Sequence, residues 1–289
     1  MKRRAFIYII VAGVLWGTSG IFVNTLAPYG FSSFQLTACR GPVSAIFMAV
    51  YLLIRDKKLF KIKFRELLLL IGSGVALFGT ASCYYMSMQA TSIATAVVLM
   101  YMAPVLVMIY SVLFLGEKFD RIKGIALGLV IVGCVLVSGV GSLKFNMFGF
   151  AMGIMAAISY GSYNIFTKIQ MRRGVEPLSA TFYTFLFMSL TALCVSKPVQ
   201  IIPLVAQSPA VTVPWLIALG LATCVLPYFL YTLSLRSLPA GTASSLAIIE
   251  PMSATLIGWI VYREHLSMLS FIGIIFILCA VFMLGRAKE

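Results

Sequence analysis

The chain has 289 residues, of which 61% are hydrophobic and only 10% charged, with a mean hydropathy of +1.04. An ordinary soluble domain carries about a quarter charged residues, so no soluble core absorbs this much apolar sequence. The formal net charge is +14, from 22 Lys and Arg against 8 Asp and Glu, and the basic residues cluster in short segments between apolar stretches, which points to anionic lipid headgroups rather than nucleic acid.

A spanning helix needs roughly 20 mostly apolar residues. Cutting the chain at its charged, Pro and Gly clusters predicts ten, at 5–27, 33–54, 66–89, 93–115, 122–140, 147–170, 178–196, 213–235, 242–262 and 268–285. The first follows the basic start Lys2-Arg3-Arg4 without a small-residue cleavage site, and is expected to be a retained helix. The longest connection, 197–213, holds Pro198, Pro203 and Pro209 and is predicted to be an irregular surface loop. Cys39, Cys83, Cys134, Cys194, Cys224 and Cys279 all fall in apolar stretches without a Cys-x-x-Cys pair. They read as small buried hydrophobes, and no metal or cofactor is expected.

Orientation follows from the basic residues on each side. With the N-terminus inside, 18 Lys and Arg fall on the cytoplasmic side, among them Arg55, Lys58, Lys118, Lys168, Arg172 and Arg236, against Lys144, Lys197 and Arg263 opposite. Both termini are then cytoplasmic. Arg40 lies within a span.

The chain also repeats itself. A shift of 147 lays 84–117 on 231–264, matching Tyr84 with Tyr231, Ser87 with Ser234, Thr95 with Thr242, Ala96 with Ala243, Leu99 with Leu246, Pro104 with Pro251 and Glu117 with Glu264. A shift of 144 lays Trp16-Gly17-Thr18 on Tyr160-Gly161-Ser162. Five spans per half is odd, so the second half enters the membrane from the opposite side. The expected architecture is an all-α membrane protein of ten transmembrane helices in two inverted five-helix repeats, 1–141 and 142–289, a plan common among secondary transporters.

These features resemble the EamA family of the drug/metabolite transporter superfamily. The resemblance rests on the ten spans, on the Pro of each fourth helix with a following Glu turn (Pro104…Gly116-Glu117; Glu250-Pro251…Arg263-Glu264), on Leu15-Trp16-Gly17 and on Arg40. It implies a central cavity lined mainly by helices 1, 3, 4, 6, 8 and 9, with helices 5 and 10 peripheral, and export or exchange of amino acids and related metabolites. One departure is Arg263, which stands before Glu264 where the family usually has Gly.

Two ionisable side chains fall inside spans, where they are expensive unless they face a cavity or a partner. At 1.5 Å per residue Arg40 lies roughly 10 Å deep from the outside and Glu250 roughly 12 Å deep from the inside. In a hydrocarbon core of about 30 Å that leaves a gap of roughly 8 Å, which long side chains close. Arg40 then attracts a substrate carboxylate and Glu250 an amine or a proton. The structural alternatives are an ion pair between the two, or an Arg40 that snorkels to the headgroups. Pro251 removes a backbone hydrogen bond beside Glu250 and leaves a carbonyl free to face a cavity.

The second group of candidate substrate-binding residues is Trp16, Tyr84, Tyr101, Tyr160, Tyr163, Asn164, Tyr228 and Tyr231, which offer apolar faces with polar tips to a small amphipathic solute. Tyr8, Tyr29 and Tyr262, near helix ends, read instead as interfacial belt residues. Small-residue spacings at Gly13/Gly17, Gly124/Gly128 and Gly149/Gly153/Ala157/Gly161 predict close helix packing. His265 reads as a solvated loop residue, and Glu117 and Glu264 as turn residues with packing roles.

The function expected is therefore a secondary transporter of a small polar metabolite, an exporter or exchanger in the inner or plasma membrane. Protons are the coupling ion to consider, and the chain works as a monomer or homodimer. There is no Walker-type loop for a primary pump. Two other classes remain: an intramembrane enzyme acting on a lipid or isoprenoid phosphate, which needs clustered His, Asp or Glu, and a non-transporting scaffold.

Overall fold

The computed structural model describes residues 2–118, 120–138, 145–195, 198–263, 265 and 267–286. Lys144, Lys197, Glu264 and Lys288 lie outside the described residues. Among the described residues the chain is helical, with no strand. The long helices are α1 Arg3–Tyr29, α2 Ser33–Arg55, α3 Phe64–Ala90, α4 Ile93–Leu115, α5 Arg121–Ser138, α6 Met147–Arg172, α7 Pro177–Val195, α8 Pro209–Ser234, α9 Ala240–Tyr262 and α10 Met268–Arg286.

Eight of these are long and apolar enough to cross a membrane. Of the other two, α10 contains a shorter apolar stretch, Met268–Leu284, and α6 is 26 residues long but carries Ser159, Tyr160, Ser162, Tyr163 and Asn164 in its middle. The helix bounds differ from those expected by four residues or fewer. The connection 197–213 departs from expectation. It holds a short helix, Ile202–Gln207, with Pro203 near its start, where a missing N–H costs nothing. Leu204 and Val205 of that helix pack on the cluster of Phe22, Phe31 and Leu216.

The outer face of the bundle is apolar, with Ile54 81%, Leu113 68% and Ile260 67% exposed, as a surface solvated by lipid requires. Several buried hydroxyls bond back into their own helices. Thr181 donates to the Pro177 carbonyl at 2.8 Å, Ser189 to Phe185 at 2.6 Å and Thr223 to Leu219 at 2.7 Å. This satisfies groups that would otherwise be orphaned in hydrocarbon.

Helix packing follows an internal two-fold relation. α1 packs on α8 and α9, while α6 packs on α3 and α4; α2 packs on α7, and α5 on α10. Exchanging each helix for its equivalent in the other half (α1 with α6, α3 with α8, α4 with α9) turns the first set of contacts into the second. That is the signature of an internal two-fold repeat, and an odd number of helices per half, each crossing once, makes it an inverted one. The α5–α10 crossing is close enough that a Cβ on Gly133 would lie 2.9 Å from the Gly273 carbonyl oxygen. The Gly124/Gly128 spacing pointed elsewhere on α5, and Gly128 has no neighbour within 4 Å.

Two helices break at matched positions. α4 consists of Ile93–Met100 and Ala103–Leu115, and α9 of Ala240–Leu246 and Ile249–Tyr262. Pro104 and Pro251 follow the breaks, and each lacks the N–H that would bond the carbonyl four residues earlier. The same helices also end alike. Gly116 (φ 64°) bonds back to the Ser111 carbonyl, and Arg263 (φ 55°) to that of Gly258. Arg263 thus adopts the left-handed turn that the first half makes with glycine, at a strain on the order of 1 kcal/mol.

Candidate functional site

The helix breaks and the charged residues converge on one cavity of about 740 Å³. α1 contributes Trp16, Ser19 and Gly20; α3 contributes Leu77, Thr80, Ala81 and Tyr84; α4 contributes Val97, Met100 and Tyr101. Tyr160 of α6, Thr223 and Tyr228 of α8, and Glu250, Pro251, Ala254 and Thr255 of α9 complete most of the wall. Arg40 enters from α2, and Val137 and Ser138 reach it from α5. The lining therefore includes the six helices that the resemblance implied, and adds α2 and α5.

Among the described residues, none of the cavity's lining comes from the end of the bundle that carries Arg55, Lys118 and Arg172, here called the basic end. Toward the opposite end its lining runs to Ser92 and Ile93 in the α3–α4 turn. Ile93 is 65% exposed there, so the cavity reaches the surface.

Of the residues proposed from the sequence, Trp16, Arg40, Tyr84, Tyr101, Tyr160, Tyr228 and Glu250 line this cavity together. Tyr163, Asn164 and Tyr231 do not: they lie one turn nearer the basic end, all 1% exposed or less. There the Tyr231 hydroxyl donates to the Asn164 side-chain oxygen, and the Asn164 amide donates to the Tyr160 carbonyl at 2.6 Å. The Tyr163 ring meets Tyr228 edge-on at 5.7 Å and stacks on Tyr160 at 6.2 Å. These three residues make the layer on which the cavity rests. Helical spacing alone placed them on the same helices as the lining residues without separating floor from wall.

Tyr228 is the hub of the aromatic packing. Its ring meets Trp16 edge-on at 5.0 Å and Phe185 at 5.5 Å. Trp16 is 6% exposed, yet its indole Nε1 has no hydrogen-bond partner, and the Arg40 Nε, also buried, has none either. Such donors are costly to leave unmatched, so the wall near Tyr228 is short of acceptors. The Glu250 carboxylate faces the Tyr101 hydroxyl, with Arg40 close enough to act on it electrostatically. Among the described residues, however, no ion pair joins Arg40 to Glu250.

Several lining residues escaped the sequence reading: Ser19, Thr80, Thr223, Ser138 and Thr255. Helical spacing from a recognised neighbour would have found some of them. Leu77, Thr80, Ala81 and Tyr84 share one face of α3, as Glu250, Pro251, Ala254 and Thr255 do on α9. His265 is exposed. Glu117, by contrast, is more than a turn residue, because its carboxylate accepts from the Ala240 amide at 3.0 Å across the boundary between the halves.

Comparison with known proteins agrees with this architecture. The model of the EamA-like transporter family matches residues 3–139 and 147–286, one match per half. An uncharacterized transporter of Archaeoglobus fulgidus is 30% identical, covering 96% of this chain and 95% of its own. The uncharacterized transporter YwfM of Bacillus subtilis is 24% identical over 100% of this chain and 96% of its own. The uncharacterized inner membrane transporter YicL of Salmonella typhimurium is 22% identical over 98% and 95%. One crystal structure superposes with a TM-score of 0.79 at 17% identity, covering 96% of this chain and 95% of that one, and shares the fold. With both halves matched by one family model, this integral membrane protein, a transporter and not an enzyme, belongs to the EamA-like transporter family.

Proposed function

We propose that the protein is a secondary transporter of an amino acid or a closely related small polar metabolite, working by alternating access as an exporter or exchanger in the inner membrane. The basic end is cytoplasmic, and the cavity is open to the outside. The observation that carries this reading is that a cation and a carboxylate, Arg40 and Glu250, line one cavity without pairing with each other. Arg40 Nε and Trp16 Nε1 supply unmatched donors for a carboxylate. Glu250 supplies the acceptor for an amine and the site for a coupled proton. The rings of Trp16, Tyr101, Tyr160 and Tyr228 enclose the solute between those two poles. Inverted repeats provide the exchange of states, since two such halves can swap conformations about a fixed central site.

The test is counterflow into proteoliposomes preloaded with an unlabelled amino acid, with and without a proton gradient. Saturable accumulation of the labelled amino acid, competed by zwitterions but not by the matching decarboxylated amine, is expected. Absence of counterflow for every amino acid in the panel overturns the substrate class.

A further inference from the structure

The connection between α2 and α3 gathers charge that the cavity does not use. Residues 55–65 hold six of the 22 basic residues, Arg55, Lys57, Lys58, Lys61, Lys63 and Arg65, against one acid, Asp56. All six are exposed, and among the described residues none of them forms an ion pair. The acids of this corner are engaged elsewhere. Asp56 accepts from the Lys58 amide at 2.8 Å, Glu66 lies 3.5 Å from the Arg173 guanidinium, and Glu176, just before α7, lies 3.0 Å from that of Arg236.

The connection is fixed in place rather than loosely tethered. Lys57–Phe60 form a short 3-10 helix. Leu59 and Phe60 pack on Met48, Leu52 and Phe182, and the Phe60 ring meets Phe182 edge-on at 5.2 Å. From α7, the Ser179 hydroxyl donates to the Leu59 carbonyl at 2.7 Å and the Tyr183 hydroxyl to the Phe60 carbonyl at 2.8 Å. The Lys61 amide closes the turn on the Lys58 carbonyl at 2.9 Å. Residues three apart eclipse in such a turn, so Lys58 and Lys61 stand side by side. Two unpaired ammoniums held together repel, and an anion between them removes that cost.

Depth matches the membrane surface. α2 has 23 residues, about 34 Å at 1.5 Å per residue against a hydrocarbon core of about 30 Å, so Arg55 emerges at headgroup level. Ile54 and Phe64, which flank the connection, are each 81% exposed, as side chains among lipid tails are.

We propose that the α2–α3 connection is a docking surface for an anionic phospholipid. Lys58 and Lys61 hold the headgroup phosphate, the other four cations surround it, and the acyl chains lie along Ile54 and Phe64. A zwitterionic lipid brings its own cation beside the phosphate and gains little from the site. The proposal does not depend on which substrate is carried.

Native mass spectrometry of the full chain tests this, with the protein released from neutral detergent micelles carrying dioleoylphosphatidylglycerol or dioleoylphosphatidylcholine. Wild type is expected to retain phosphatidylglycerol in preference. Lys58→Gln with Lys61→Gln should weaken that binding by about 25-fold, roughly fivefold for each cation removed. Arg3→Gln with Arg4→Gln, which takes the same charge from the same end, should leave it nearly unchanged. Ser179→Ala with Tyr183→Phe keeps every charge but frees the connection, and should weaken binding several-fold. Equal losses from the two charge pairs, or no loss on freeing the connection, would mean diffuse attraction and overturn the surface, as would equal retention of the two lipids. Inorganic phosphate in large excess should not displace the lipid; displacement would make this a site for free phosphate and overturn the assignment. If the double Gln variant does not fold, Lys58→Gln alone is required to show the fivefold loss.

Discussion

The Tyr231 hydroxyl donates to the Asn164 side-chain oxygen between α8 and α6, one turn beneath the cavity. Both residues are fully buried, so removing either partner leaves the other orphaned. Tyr231→Phe and Asn164→Leu should each destabilise the protein by about 1–3 kcal/mol, and the double variant should lose less than the sum. Thermal unfolding in detergent reads the cycle. Because neither side chain lines the cavity, substrate KM should stay near the wild-type value; a large KM change with unaltered stability would place them in the binding wall instead.

Gly17 and Gly161 occupy matched places in the two halves, but the packing around them differs. A Cβ on Gly17 would fall 2.6 Å from the Ser253 Cβ and 2.9 Å from the Ala254 amide nitrogen. On Gly161 it would meet nothing nearer than the Val107 Cγ2 at 3.6 Å. Gly17→Ala should therefore cost about 1–3 kcal/mol through separation of α1 from α9, and Gly161→Ala much less. Equal melting temperatures for the two variants would refute the α1–α9 crossing as described.

Arg40 and Glu250 share a cavity without an ion pair, and this decides what their substitution does. Glu250→Gln should leave stability nearly unchanged, and adding Arg40→Gln should rescue nothing. Had the two formed a buried pair, the single change would have orphaned a charge and the double change recovered it. In transport, Glu250→Gln should abolish accumulation driven by a proton gradient, weaken the apparent affinity for amine-bearing substrates in exchange, and flatten the pH dependence of transport. Accumulation equal to wild type would remove Glu250 from proton coupling.

The basic end is expected to face the cytoplasm. Single cysteines at Lys58 and at Val199, the latter 75% exposed at the opposite end, test this with a membrane-impermeant maleimide on intact cells. Label at position 199 and none at 58 is expected, after subtraction of the signal from the native cysteines. The reverse pattern inverts the orientation and with it the side to which the cavity opens.

Apolar length, charge placement and the 147-residue repeat determined the spans, their count and their inverted arrangement, because lipid allows backbone to cross only as helix and a helix of given rise has few lengths that fit. The same spacing carried Trp16, Arg40, Tyr101, Tyr228 and Glu250 to a common depth. Depth is a one-dimensional quantity that residue numbers record. Where the cavity stops along that depth is not recorded there, and so Tyr228 and Tyr231, about one turn apart on the same face of α8, differ as wall and floor. Tertiary structure alone decided that Arg40 and Glu250 stand apart, and that Pro203 starts a helix in the connection expected to be irregular. It also carried Glu117 across the boundary between the halves to cap α9. These outcomes depend on which helices approach and how closely, and close approach is set by the shapes of two surfaces at once, which no single stretch of sequence contains.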